Sequence, residues 1–397
     1  MKVAVIAPGT LPSIKANALQ VMKMTEAFKS IGHEVHLIIP DSGDSKSASE
    51  RKWENLANVY GIQNQFPMTW LPANQRLRKY DYAWKATSWS KKWRSDVIFT
   101  RLPQAAAIAA QRGLLTIFEI HDQPQGTCGP IMLRLFLSGK GANKLVTISK
   151  ALANDVVQEN FLLPEDRKLV VLPDAVDLRR YVDLPPAQES RKILSHEISQ
   201  RLLVNGEVYS PQQFTVGYTG HLYPGRGISL MLDLAEHLPK INFLIVGGEA
   251  QDVRILLEQV KERKLENIIL TGFVPNADLP KYQAACDVLL LPYQSKVSAS
   301  SGGDIGRYLS PMKLFEYLAC GRAICSSDLP VLQEVISPEI AVLLPPDDLE
   351  AWVHAIRELK SNPAFRNKLS DNAKAAAQKY SWESRASKIL ADVHPGK

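Results

Sequence analysis

Met1-Lys2-Val3-Ala4-Val5-Ile6-Ala7 runs directly into Pro8-Gly9-Thr10-Leu11-Pro12-Ser13. An apolar strand thus meets a loop of turn-forming residues. Beyond it, Ala18, Val21, Met22, Thr25, Phe28 and Ile31 recur at helical spacing on one face, and Gly32 is a natural stop. A second strand is expected at 35–39, and others at 97–100, 115–120, 146–148 and 169–172. The same plan starts again at Phe214, with a strand at 214–218, a loop at 220–227, a helix at 228–237 and a strand at 243–246 that ends in Gly247-Gly248. Further strands are expected at 268–271, 288–291, 323–325 and 342–344. Helices are expected at about 251–264, 348–360, 363–379 and 382–393. Strands that alternate with helices predict parallel sheets covered on both faces, so the fold class is α/β with two doubly wound domains. Ligands of such sheets bind at the carboxyl ends of the strands, which makes a nucleotide cleft between two facing carboxyl edges the expected site.

The 397 residues suit two such domains. A polar, proline-containing stretch around 183–190 marks the boundary. The expected division is 1–183 for the first domain, 184–379 for the second and 380–397 for a terminal helix. With 45% hydrophobic and 22% charged residues, disorder, a collagen repeat and a small disulfide scaffold are excluded. No apolar run approaches the ~20 residues of a membrane-spanning helix, and no signal-peptide pattern precedes the first strand, so a cytoplasmic protein is expected. Lys and Arg total 47 against 41 Asp and Glu, a net charge of +6. That excess fits an anionic ligand or membrane surface without requiring nucleic acid. Cys128, Cys286, Cys320 and Cys325 form no CxxC pair and read as buried, reduced thiols.

The first loop lacks GxGxxG, which argues against a nicotinamide dehydrogenase. The sharpest local signal is Ser310-Pro311-Met312-Lys313-Leu314-Phe315-Glu316-Tyr317-Leu318-Ala319-Cys320-Gly321. Ser310 as N-cap, Pro311 in the first turn and Gly321 past the end delimit a helix of about ten residues. The small-residue loop before it, from Ser298 through Gly302, Gly303 and Asp304, leads to a helix N-terminus with free N–H groups, an anion-binding arrangement.

These residues resemble the family 4 retaining glycosyltransferases of the GT-B fold, over nearly the whole chain and most strongly in 214–327. The fold implied has two Rossmann-like domains facing across a cleft, with a last helix returning to the first domain. In that family an acidic residue five positions before the glycine holds the ribose hydroxyls of a nucleotide sugar, and Glu316 before Gly321 has this spacing. Gly220-His221-Leu222-Tyr223-Pro224-Gly225-Arg226-Gly227 resembles the diphosphate loop, with Arg226 in the role of a lysine and His221 where an arginine is usual. Asp174-Ala175-Val176-Asp177 resembles the turn that ends the N-terminal domain. Gly272-Phe273-Val274 resembles the strand end that meets the nucleobase, and Tyr380-Ser381-Trp382-Glu383 the return of the last helix. One departure is plain. The family's first glutamate, eight positions before the second, falls at Tyr308, and Asp304 is the nearest acidic replacement.

His121 ends the strand Ile117-Phe118-Glu119-Ile120-His121, where the family places a histidine close to the reacting sugar. Arg101 sits on the same edge, and Gly9, Lys15 and Asn17 in the first loop are candidates for acceptor or sugar contacts. Arg76, Arg78, Lys79, Lys85, Lys91, Lys92 and Arg94, interleaved with Tyr80, Tyr82, Trp84, Trp89 and Trp93, form a segment with Asp81 as its single acid. It suits an anionic membrane surface, or a helix whose tryptophans pack inward while its lysines are solvated.

The resemblance implies transfer of a sugar from a nucleoside diphosphate donor, UDP- or GDP-linked, to a hydroxyl acceptor with retained configuration. His121, Arg226 and Lys313 are the catalytic candidates. The substrate-binding candidates are Glu316, Gly9, Lys15, Asn17, Arg101, His221, Gly247, Val274, Gly303, Asp304, Ser310, Pro311 and Met312. No cofactor or metal is implied, and no nucleic-acid partner. The acceptor class stays open among a glycan, a lipid-linked sugar and a sugar phosphate, with contact to the inner face of an anionic membrane as a further expectation. Two alternatives stand beside this: a sugar-nucleotide 2-epimerase of the same architecture, and a nucleotide-sugar-binding protein without catalysis.

Overall fold

The structure, a computed structural model, describes residues 1–41, 43, 49–160, 168–201, 210–298 and 303–394. The chain divides into two compact units, Met1–Pro173 with Trp382–Lys397, and Asp174–Ser381. The expected divisions after 183 and 379 compare with divisions after Pro173 and Ser381. Asp174 begins the second unit and binds within it, its N–H donating to Ser310 Oγ at 2.8 Å.

The first unit is built on seven parallel strands: β1 (Lys2–Ile6), β2 (Glu34–Asp41), β3 (Met68–Pro72), β4 (Val97–Thr100), β5 (Thr116–Ile120), β6 (Ala142–Thr147) and β7 (Leu169–Val171). Their order is β3-β2-β1-β4-β5-β6-β7. The order reverses between β1 and β4, so the loops after these two strands diverge and open a crevice at their carboxyl ends. Strand β3 was not expected. It is an edge strand whose residues are only half-buried or exposed, and it lacks the apolar run that announces a central strand. The helix Ala16–Ser30 follows β1, and Met22, Met24 and Phe28 are fully buried on it. The terminal helix Trp382–Leu390 packs against it. Lys144 Nζ donates to the carbonyls of Ile389 and Ala391, which serves groups that a helix end leaves unsatisfied.

The second unit has six parallel strands: β8 (Thr215–Thr219), β9 (Asn242–Val246), β10 (Ile268–Leu270), β11 (Val288–Leu291), β12 (Ala323–Ser327) and β13 (Val342–Leu344). Their order is β10-β9-β8-β11-β12-β13, with the reversal between β8 and β11. Both faces are covered, which explains why β11 reads as unbroken Val-Leu-Leu-Leu. Val288 and Leu290 join the core containing Trp352, while Leu289 and Leu291 join the core containing Phe315 and Tyr317. Each such side chain, fully buried, contributes about 1.5–3 kcal/mol.

The helix after the expected loop spans Met312–Cys320, and Gly321 closes it in the left-handed conformation at φ 63°. Two details differ from expectation. Pro311, not Ser310, stands at the N-cap, and no side chain caps the helix. Pro311 takes the extended conformation of an N-cap, so Ser310 stands one position outside the helix, where its Oγ accepts from Asp174 N–H. Residues 299–302 of the small-residue loop lie outside the described residues. Cys286, Cys320 and Cys325 are buried, whereas Cys128 is exposed. Burial pushes the Cys325 thiol up to about 12.

Candidate functional site

In the second unit the carboxyl ends of β8 and β9 and the start of helix Met312–Cys320 meet at Gly220. Lys313 is the second residue of that helix. The residue as a whole is half-buried, but its Nζ is fully enclosed and has no hydrogen-bond partner among the described residues. Nζ lies 3.8 Å from the centroid of the Tyr218 ring and 5.5 Å from that of Tyr293. Burial pushes the ammonium well below its ordinary pKa, and the charge of Arg226 adds to that, while Glu316 opposes it. Gly220 has φ 139°, and a Cβ there would lie 2.6 Å from Lys313 Nζ. Glycine at 220 therefore leaves the backbone open where Lys313 Nζ approaches it.

Arg226 stands beside Lys313. Its Nη1 donates to Tyr293 Oη at 2.9 Å, its guanidinium carbon is 5.2 Å from that ring's centroid, and its Nε is buried without a partner among the described residues. No carboxylate pairs with either cation among the described residues. The loop that carries Arg226 is held backbone to backbone against the segment after β11: Gln294 N–H donates to Gly225 O at 3.0 Å and Ser298 N–H to Pro224 O at 3.1 Å. A Cβ at Gly227, where φ is 77°, would lie 2.0 Å from Pro292 O. The His221 carbonyl accepts from Tyr218 Oη at 2.6 Å, and its ring stacks on Tyr223 with centroids 4.7 Å apart and planes 3° from parallel. The arrangement amounts to two buried basic side chains against two tyrosine rings, with N–H groups that have no partner among the described residues. Buried positive groups without a counter-charge favour an anion.

Glu316 is 8% exposed. Its Oε1 accepts from Asn276 Nδ2 and its Oε2 from Gln283 Nε2, both at 3.2 Å. These amides are themselves fixed. Arg180 Nη1 donates to Asn276 Oδ1 at 2.6 Å, Tyr181 Oη donates to Gln283 Oε1 at 2.9 Å, and Gln283 Nε2 also reaches Thr219 Oγ1 at 3.1 Å. Each carboxylate oxygen has a second lone-pair direction, so this network orients the carboxylate and leaves it able to accept from a diol. Asn276, Gln283, Tyr218 and Tyr293 carry no motif of their own, and sequence reasoning missed them.

Other candidates behave differently. Val274 is 4% exposed and belongs to the core, while its neighbour Phe273 is 46% exposed. The side chain offered at that strand end is therefore Phe273, and Val274 can contribute only backbone. Asp304 Oδ1 accepts from Val297 N–H and Gly306 N–H, both at 2.9 Å, and these bonds lower its pKa. That oxygen closes its own loop around Gly303, whose φ is 87°, so the replacement for the missing glutamate is already engaged by backbone. Gly247, at φ 113°, donates its N–H to Gly272 O at 2.8 Å, and a Cβ there would lie 2.4 Å from Gly220 O. Met312 and Pro311 are half-buried at the helix start. Tyr308 ends the short turn Gly306–Tyr308.

In the first unit the crevice after β1 and β4 holds a second polar cluster. His121 follows β5, and its Nε2 lies 2.7 Å from Glu119 Oε1. Glu119 is fully buried. Gln20 Nε2 donates to the same Oε1 at 2.6 Å, and Arg385 Nη1 donates to Oε2 at 2.9 Å. Burial alone would raise the Glu119 carboxyl, but Arg385, then His121 and Arg101, hold it well below the ordinary carboxylate range. An ionised carboxylate only accepts, so His121 donates from Nε2, which sets its tautomer. Arg101 Nη1 donates to Gln20 Oε1 at 3.1 Å. Gly9 lies next to Asn17, a Cβ there falling 3.7 Å from Asn17 Nδ2. Lys15 is exposed at the N-cap of helix Ala16–Ser30. Lys79 Nζ donates to Pro8 O, and burial followed by the charge of Lys15 lowers its pKa. Glu119, Gln20, Arg385 and Lys79 were not expected here. Only Glu119 left a trace in sequence, since two residues along a strand share a face with His121.

The basic, aromatic segment forms the helix Tyr80–Trp93, with Tyr82, Ala83, Ala86 and Ser90 buried. Trp89 and Trp93 turn inward against His36, with centroids at 4.3 and 5.7 Å, whereas Trp84 is exposed. Among the described residues no group of three or more His, Cys, Asp or Glu side chains is placed to hold a metal ion, and no helix is long and apolar enough to cross a membrane.

Residues 205–376 match the family model for glycosyl transferases group 1, and residues 18–180 match that for glycosyltransferase family 4. The chain is 24% identical over 278 residues to the alpha-galactosylglucosyldiacylglycerol synthase of Streptococcus pneumoniae, a match covering 66% of this chain and 67% of that one. It is 23% identical to the D-inositol 3-phosphate glycosyltransferase of Xylanimonas cellulosilytica, over 57% of this chain and 51% of that one. In fold it resembles the sucrose-phosphate synthase of Thermosynechococcus elongatus, with a TM-score of 0.71, 16% identity and coverage of 98% and 97% of the two chains. Anabaena HepE, solved in complex with UDP, gives a TM-score of 0.71 at 17% identity and 98% coverage of both chains. With one family model on each unit and this architecture, the chain belongs to the group 1, family 4 glycosyltransferases of the GT-B fold.

Proposed function

We propose that this glycosyltransferase moves a sugar from a UDP- or GDP-linked donor to a hydroxyl acceptor with retention of anomeric configuration. The observation that carries the reading is the pair of cations Arg226 and Lys313, enclosed at the switch point of the second sheet with buried N–H groups and no carboxylate partner among the described residues. A leaving diphosphate supplies the missing counter-charge. The Anabaena neighbour with UDP bound supports a nucleoside diphosphate as the ligand class.

In this reading Glu316 accepts hydrogen bonds from the ribose hydroxyls, held in place by Asn276 and Gln283. As the bond from the anomeric carbon to the phosphate oxygen breaks, positive charge develops on the sugar and negative charge on the diphosphate. Arg226 and Lys313 stabilise that negative charge as fixed cations at the switch point of the sheet. The acceptor oxygen forms the new bond to the anomeric carbon, and its proton passes to the departing phosphate. This route needs no bound metal. The acceptor side belongs to the first unit, with His121, Arg101, Asn17 and Lys15 as its polar groups.

Titration of the protein with UDP, GDP and ADP, then with uridine and guanosine, tests the reading. Preference for one diphosphate over its own nucleoside by at least tenfold, lost in Lys313→Met, is the expected result. Equal binding of nucleoside and diphosphate would remove the anion site from the second unit.

A further inference from the structure

We infer that the first unit docks on an anionic lipid bilayer through a surface formed by Leu77, Tyr80 and Trp84 on one side and Ile131, Arg134 and Leu135 on the other. Scattered exposed apolar residues are ordinary on a protein surface, but here they are not scattered. Among the described residues the exposed large apolar side chains of the first unit are Ile14, Leu77, Tyr80, Trp84, Ile131 and Leu135. Ile14 belongs to the loop after β1, Leu77 ends the short turn Gln75–Leu77, and Tyr80 and Trp84 lie at the start of helix Tyr80–Trp93. Ile131 and Leu135 belong to the outer face of helix Cys128–Ser138.

These segments are neighbours. Helix Pro103–Gln111 packs against both helix Tyr80–Trp93 and helix Cys128–Ser138. Arg112 covers one face of Trp84 at 4.6 Å, and the adjacent Gln111 donates to Leu135 O at 2.6 Å and to Ser138 Oγ at 3.0 Å. Lys79 ties the same region to Pro8, near Ile14. Between the two helices lies Pro103–Gln111, whose Ala105, Ala106, Ala109 and Ala110 are buried.

Charge selects the partner. Lys15, Arg76, Arg78 and Arg134 are exposed around the apolar residues, and residues 123–141 contain no acid. Asp81 is bound by Lys85 at 3.1 Å and by the Asn74 N–H, so it offers little opposing charge. Apolar and aromatic groups framed by cations match the headgroup region of an anionic bilayer. The docking face is not the whole basic segment, because Trp89 and Trp93 are taken up by His36 and are not free to anchor. Lys79, next to Tyr80, is bonded to Pro8 beside Gly9, so the patch borders the first loop and a lipid-borne acceptor follows from it. That consequence rests on the proposed transferase reading, while the docking itself does not.

The test is cosedimentation of the full chain with vesicles of phosphatidylcholine, with and without 30% phosphatidylglycerol, across a salt series. Binding to the anionic vesicles alone, weakening as salt rises, is expected. Arg76→Gln and Arg134→Gln should each weaken partition about fivefold at low salt. Trp84→Ser with Ile131→Ser should weaken it at least tenfold, and Lys91→Gln with Lys92→Gln, at the far end of the helix, should weaken it less. No sedimentation with anionic vesicles at low salt would overturn the proposal. So would a dimer in vesicle-free solution that Trp84→Ser with Ile131→Ser dissolves, since the patch would then be an interface between copies. Titration with UDP in the absence of vesicles is the separate reading of the donor site. Loss of vesicle binding with intact UDP binding condemns the docking face alone.

Discussion

Arg385 and Glu119 are separated by 266 residues of chain and by 2.9 Å in space, and Glu119 has no exposed surface. Arg385 also donates to the carbonyls of Leu172 at 3.1 Å and Pro173 at 2.8 Å. One guanidinium from the terminal helix thereby fixes both the end of β7 and the carboxylate that sets the His121 tautomer.

Glu119→Gln should lower stability by about 3–5 kcal/mol near neutral pH, since it leaves Arg385 buried without its charge partner. The folded pKa of Glu119 lies below its unfolded value of about 4.3. Its contribution is therefore complete above the unfolded value and fades as pH falls through the lowered, folded one. Urea denaturation at a series of pH values checks this. The gap between the native chain and Glu119→Gln should narrow from about pH 5 downward, and a gap that does not change with pH would make the loss one of packing.

His121→Ala should reduce turnover by roughly 10–150-fold, the worth of one charge-assisted hydrogen bond, while changing donor affinity by less than about threefold. Steady-state kinetics with donor titration separates the two. A variant with native kcat would return His121 to a purely structural partner of Glu119.

Lys313→Met should do two opposite things. It should cost about 3 kcal/mol in kcat/KM, the scale for losing one preorganised group that meets developing charge, and Arg226→Met should cost at least as much. It should also stabilise the ligand-free protein by about 1–3 kcal/mol by removing a buried charge that lacks a counter-ion. The folded pKa of Lys313 is below its unfolded value, so the unfolded chain binds more protons in the window between them. Stability of the ligand-free protein should thus rise with pH across that window, and Lys313→Met should remove the rise. Thermal melts with and without UDP measure both. Near-full activity in Lys313→Met with an inactive Arg226→Met would leave the anion to Arg226 and backbone N–H groups.

Glu316→Ala should weaken nucleotide binding about 10–150-fold, because two ribose hydroxyls lose a charged acceptor. It should also cost about 1–3 kcal/mol of stability, since Asn276 and Gln283 are left with unsatisfied N–H groups. Calorimetric titration and a melt on the same sample resolve the two effects. Unchanged affinity in a folded variant would remove Glu316 from the donor site.

The sequence was most legible where one segment contains its own reasons. Strand β11 falls at Val288–Leu291, as expected, because a strand buried on both faces is an unbroken apolar run. The helix after Gly227 falls at Ile228–His237 for a similar reason, a loop glycine followed by an apolar face. Edge strand β3 was missed because half of its surface meets solvent, and nothing in Met-Thr-Trp-Leu-Pro distinguishes it from a loop. The N-cap falls one residue beyond the expected Ser310, at Pro311, and the Ser310 hydroxyl serves Asp174, a residue 136 positions away that the local spacing does not reveal.

By itself the sequence determined the α/β class, the two doubly wound sheets and the short list of charged side chains at strand ends and helix starts. Periodicity and turn chemistry are local, and they are written in consecutive residues. Only the tertiary structure decided what those side chains meet. It enclosed Lys313 over Tyr218 and left its Nζ without a partner among the described residues. It used an oxygen of Asp304 to close a loop, and it brought Arg385 to Glu119 from the far end of the chain. Burial and the approach of distant groups set the charge state and free valence of each side chain, and no spacing along a single segment encodes either.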